Sequence, residues 1–143
     1  MKARFLSLAL VSLAVAGSPA LAAAPTASCP AKTFSGFLAA FMDSSTVQRS
    51  HVAVPLLSIS IDSNAQPEPA PVRKMLTARE ITYPLMPGKA QRAKDRLKTT
   101  VKSVSAGETE VKLAQADTGY QLRYLFRKTA NCWTLTRMND DSL

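Results

Sequence analysis

The stretch that decides the fold is "GYQLRYLFRKTANCWTLTR", residues 119–137. It alternates large apolar with polar side chains on both sides of Thr129-Ala130-Asn131. That is the pattern of two antiparallel strands around a short turn. Tyr120, Leu122, Tyr124 and Phe126 fall on one face. Gln121, Arg123, Leu125 and Arg127 fall on the other. "ETEVKLAQA" precedes it across Asp117-Thr118-Gly119, so the last 35 residues read as a three-stranded meander, since turns this short demand antiparallel neighbours.

Upstream, "TFSGFLAAFMD" carries Phe34, Phe37, Leu38, Phe41 and Met42 at helical spacing, with all large apolar groups on one face. Thr33 or Ser35 caps its start, and a second short helix carries "STVQRSH". "VAVPLLSISID" reads as a strand with Val54 and Leu56 on one side and Leu57, Ile59 and Ile61 on the other. Pro55 lacks a donor, so an edge or bulge is expected there. A proline-rich loop follows, and "VRKMLTAREITYPLM" resumes an extended pattern. Residues 88–104 fit either a helix or a strand, and the reading adopted is a helix to about Lys98 with an extended segment after it. Helices followed by a curved antiparallel sheet make an α+β domain, with the helices on one side of the sheet.

The opening "MKARFLSLALVSLAVAGSPALAAAP" joins a basic start, a short apolar run and small residues at Ala20-Leu21-Ala22. This is the pattern of a cleaved signal peptide, expected to be residues 1–22 and to leave residues 23–143 as one binding domain. A lipoprotein cleaved before Cys29 is the rival, but the preceding Thr26-Ala27-Ser28 does not suit it. No later segment has the roughly 20 apolar residues of a membrane helix, so no stable membrane insertion is expected. For a bacterial signal the destination is the periplasm. In that oxidising space Cys29 and Cys132 read as one disulfide that clips the N-terminus to the last strand, with two free thiols as the alternative.

Charge is concentrated. The whole chain carries +8. Between Arg73 and Lys102, nine basic residues face only Glu80 and Asp95, and the flanking segments are near neutrality. Within that run Arg73, Arg79, Arg92, Lys94 and Arg96, joined by Arg123 and Arg127 of the meander, are the candidate partner-binding residues. A protein with an acidic surface is their expected ligand. An anionic lipid surface and an idle solvated face are the competing readings. Nucleic acid is not expected, because the segment lacks interleaved aromatics and an exported chain seldom meets it.

Motifs for chemistry are scarce. His51 is the single histidine, and a solvent-facing or capping role suits it. No cluster of metal-ligand spacing and no glycine-rich phosphate loop is present, so neither metal nor cofactor is expected. Glu108/Glu110 and Asp140/Asp141 are the acidic pairs, read as solvated surface. Phe37, Phe41, Tyr120, Tyr124, Phe126 and Trp133 are the aromatics that either fill a core or line a pocket.

"FSGFLAAFMDSSTVQRSHVAVPL", "ITYPLMP" and "GYQLRYLFRK…CWTLTRMNDDSL" together resemble small exported bacterial proteins built on the nuclear-transport-factor-two-like (cystatin-like) cone. The matching positions are Phe34, Phe37, Phe41, Gln48, Pro55, Leu56, Tyr124, Phe126, Trp133 and Leu135. The resemblance implies a curved sheet wrapped around helices, with a concave face. Enzymes of that superfamily set Asp/His acid–base groups in the cone, and this sequence departs from them in showing no such set. Some exported proteins of this look are immunity proteins that neutralise toxins delivered by rival cells through secretion systems. The expected function is therefore non-catalytic: an immunity-type inhibitor of a toxin in interbacterial competition. A small-ligand carrier or sensor using the cone is the alternative, and a homodimer through the open sheet is a further expected contact.

Overall fold

A computed structural model of the 143-residue chain describes residues 27–143. The expected signal segment, residues 1–22, lies outside the described residues.

Two helices lead. α1 (Phe34–Asp43) starts where the Thr33 hydroxyl accepts the Gly36 N–H, and α2 (Ser45–Ser50) starts where the Ser44 hydroxyl accepts the Val47 N–H, each at 3.3 Å. Both are side-chain caps of helix-starting donors that would otherwise lack partners. Six strands follow: β1 (Val52–Asp62), β2 (Ala70–Leu76), then after α3 (Lys89–Lys94) β3 (Leu97–Ser105), β4 (Glu108–Gln115), β5 (Gln121–Lys128) and β6 (Trp133–Asp140). They form one curved sheet in the order β2-β1-β6-β5-β4-β3. Every neighbouring pair is antiparallel except β1 and β6, which run parallel. The sheet thus joins two locally built units: a β1–β2 hairpin and a β3–β6 meander.

Several expectations shift at residue level. The helix ends at Lys94, not near Lys98: Arg96 takes a left-handed φ of 51°, and Leu97 already pairs with Gln115 as the start of β3. The β-branched Thr99, Thr100 and Val101 go with the strand. The meander consequently has four strands. After β2 the chain turns at Thr77, whose N–H and hydroxyl both donate to the Glu80 carboxylate, at 2.9 and 2.8 Å. Those bonds and Lys74 hold the Glu80 pKa down at about 2. Residues 77–88 then form no strand. Val54 does not share the environment of Leu56, being 57% exposed while Leu56 is fully buried. The cause is a register break against β6 between Val52 and Leu57, at the donor-less Pro55. Tyr120 lies outside β5, in the turn before it, and is exposed.

The core fills the inner side of the sheet. Phe37 and Phe41 of α1 meet Phe126 of β5 edge-on, with centroids 5.8 and 5.1 Å apart. Phe34 and Trp133 extend the cluster outward. Leu56, Val111, Leu113 and Leu135 complete it from the strands. Segment 81–86 crosses this core like a stopper, burying Ile81, Leu85 and Met86.

Irregular backbone at such a site needs partners, because an unpaired buried peptide group is costly. Gln48 and Tyr124 supply them. The fully buried Gln48 amide donates to the Phe41 carbonyl at 2.9 Å and to the Met86 carbonyl at 3.3 Å. Its Oε1 accepts the Leu85 N–H at 2.6 Å. The Tyr124 hydroxyl donates to the Leu85 carbonyl at 3.0 Å, and burial pushes that phenol well above its usual pKa. Gln48→Ala strands three backbone groups and is expected to cost about 2–4 kcal/mol. Urea titration measures that loss, and hydrogen exchange at the Leu85 amide should accelerate beyond the global change.

Candidate functional site

Among the described residues, most of the aromatic side chains expected to line a cavity pack against one another on the inner side of the sheet. Phe37, Phe41 and Phe126 have no exposed surface and Tyr124 has almost none. Trp133 is half-buried against Phe34 and Phe37, and Tyr120 sits outside on its turn. The rings pack on one another because α1 presents its phenylalanines straight into the curve of the sheet. They are core, not pocket wall.

His51 is not solvent-facing. It ends α2, where its N–H donates to the Val47 carbonyl at 3.1 Å, and its ring lies buried edge-on to Phe37 at 5.5 Å. With Cys29, Cys132, Asn131 and Thr134 it borders an open cleft of about 460 Å³. The two cysteines are bonded, with Cα atoms 5.3 Å apart, so residues 27–32 are tied to the start of β6. Among the described residues no three His, Cys, Asp or Glu side chains converge as metal ligands would.

Of the four residues in the acidic pairs, three are in ion pairs and Asp140 is exposed. Glu108 accepts from Arg127 at 3.1 Å, and Glu110 stands 3.7 Å from Arg123. Asp141 takes the fork of Arg123 in two bonds, at 2.5 and 3.1 Å. That bidentate pairing lowers the Asp141 pKa and raises that of Arg123. A depressed carboxylate stabilises the fold fully above its ordinary value of 3.8, and the contribution disappears as pH falls through the lower folded value. Asp141→Asn should therefore destabilise the protein at neutral pH and flatten the loss of stability below about pH 4, read from melting temperature against pH.

The expected partner-binding cations separate in space. Arg73 is exposed on β2 and Arg79 on the turn that follows, while Lys94 and Arg96 are exposed beside β3. β2 and β3 are opposite edges of a six-stranded sheet, about 24 Å apart at roughly 4.8 Å per strand. The contiguous basic run is thus not one patch. Arg92 is structural: largely buried, it donates to the Pro87 carbonyl at 2.7 Å and to Asp43 at 3.3 Å, holding α3 against the end of α1. Arg123 and Arg127 lie on the outer sheet face, opposite the helices, in the ion pairs above.

That outer face is the one the helices do not cover, although Ile59, Leu125 and Asn139 on it are buried. The register aligns Leu57 of β1 with Met75, Arg137 and Leu125, and Ile59 with Arg73, Asn139 and Arg123, all pointing away from the helices. Lys102, Lys112 and Arg137, none of them among the expected partner-binding residues, also lie on this face. Only the i, i+2 spacing of Lys98, Thr100 and Lys102 hinted at a shared side.

No protein-family pattern matches the chain, and no curated protein shows a significant sequence match. Among solved structures it is similar to an NTF2-like protein from Bacteroides fragilis, with a TM-score of 0.55 and 16% sequence identity. The similarity covers 77% of this chain and 47% of that one, so this chain spans about half the neighbour's length. The architecture is therefore an NTF2-like α+β fold. Among the described residues no helix is long and apolar enough to cross a membrane.

Proposed function

We propose that this chain is an exported, non-catalytic binding protein, and most concretely an immunity-type inhibitor that neutralises a toxin in the periplasm. The observation that carries the reading is the filled interior. Where NTF2-like enzymes and carriers need a cavity in the cone, Phe37, Phe41 and Phe126 meet ring to ring, and segment 81–86 closes over them. Recognition then falls to the outside of the domain. The signal-like opening of the sequence and the Cys29–Cys132 bond both suit an oxidising compartment.

The test is a co-culture of the producing strain with a deletion mutant of this gene. The deletion strain is expected to lose survival against its parent and to regain it with the full chain, but not with a version starting at residue 23. Unchanged survival of the deletion strain would overturn the proposal.

A further inference from the structure

The outer sheet face holds cations without partners. Arg73, Lys98, Lys102, Lys112 and Arg137 project there by register, and among the described residues none has a carboxylate within ion-pair distance. The face's carboxylates, Glu108, Glu110 and Asp141, are already taken by Arg127 and Arg123. Across the β1 side Met75, 53% exposed, and the half-buried Leu57 and Ile61 form a narrow apolar strip, with Ile59 between them buried. On the β3 side, Thr100, Lys102, Glu110, Lys112, Gln121 and Arg123 line a cleft of about 280 Å³.

Lysines on an edge strand have a plain purpose, since they deter pairing with other chains. That accounts for Lys98 and Lys102 on β3 and for Arg73 on β2. It does not account for Lys112 and Arg137, which lie on the interior strands β4 and β6. An apolar strip beside unpaired like charges matches one half of an interface whose other half is acidic. A second copy of this chain does not fit, because a symmetric contact sets the same face against itself and opposes cation to cation. An anionic lipid surface would meet the same cations, and the crosslinking below separates it from a protein.

We infer that the outer sheet face docks an acidic protein surface, one carboxylate of which seats between Lys102 and Lys112. This rests on the binding-protein reading above and names the face and the chemistry of its partner.

The experiment places a photo-crosslinking residue at Thr100, beside the cleft, or at Ser35, on the opposite side of the domain, in the full chain made by its own strain. Adducts are identified by mass spectrometry, and the captured protein is purified for titration. The expected result is an adduct with a different, acidic protein from Thr100 and none from Ser35. Lys102→Glu/Lys112→Glu should then weaken binding about tenfold or more, with Lys102→Gln/Lys112→Gln between it and the parent. Added salt should weaken the parent's binding, while melting temperatures of both variants stay near the parent value. An adduct from Ser35 alone overturns the face while leaving the binding reading intact. A second copy or a lipid captured at Thr100, or binding indifferent to both double variants, overturns the inference. No adduct from either position overturns the inference and the binding reading together.

Discussion

Phe126→Ala is expected to lower stability by about 3–5 kcal/mol, the largest loss from any single side chain in this fold. Phe126 is fully buried, and its ring lies within 5.1–5.8 Å of the rings of Phe34, Phe37 and Phe41. Truncation removes apolar surface from the core, breaks three edge-on contacts and leaves a void between a helix and the sheet. Neither wall can collapse easily: α1 is fixed by its Thr33 cap, and β5 is paired on both sides. For a domain of this size the change corresponds to a melting temperature roughly 10–20 °C lower. Phe126→Leu keeps most of the volume and should cost about 1–1.5 kcal/mol. If urea unfolding placed the alanine variant within 1 kcal/mol of the parent, by the measure of ordinary surface changes, the filled-interior description would be wrong.

Removing the disulfide should come second. Cys29→Ser/Cys132→Ser opens a link between residues 103 apart, and loops of that length are worth about 2–5 kcal/mol. Much of the effect arises in the unfolded chain, which the bond keeps compact, so the double variant should also unfold with a steeper urea dependence. Its folded state should keep the near-ultraviolet circular dichroism of Trp133, since the core rings do not depend on the link. A reducing agent should bring the parent down to the variant and leave the variant where it is. Equal stability of parent and variant under oxidising conditions would mean the bond does not form in solution.

How far the sequence discloses this structure depends on how local each pairing is. α1 is legible because five large apolar side chains recur at helical spacing, and the β4–β6 meander because its turns are short and its strands alternate. The Cys29–Cys132 link follows from two cysteines behind an export-like opening. The β1–β6 pair is not legible, since strands so far apart leave no local trace of pairing, and neither is the bulge that turns Val54 out. Segment 77–88 misleads because β-like residues such as Ile81 and Tyr83 sit where tertiary contacts with Gln48 and Tyr124 replace a strand partner. Gln48 is a polar residue whose importance lies in three backbone groups distant in sequence, which no pattern around it announces. The basic run misleads differently: contiguous in sequence, it is divided by the sheet between two opposite edges.

The parallel seam between β1 and β6 also bears on the order in which the chain folds. The β1–β2 hairpin and the β3–β6 meander each rest on contacts close in sequence, which form early and cheaply. The seam joins residues as distant as Val52 and Leu135. It has to wait for the last strand, and with it waits the wall that Phe37 and Phe41 pack against. A chain emerging from its N-terminus thus holds no finished core until its final residues are free. It closes only when β6 is in place beside β1.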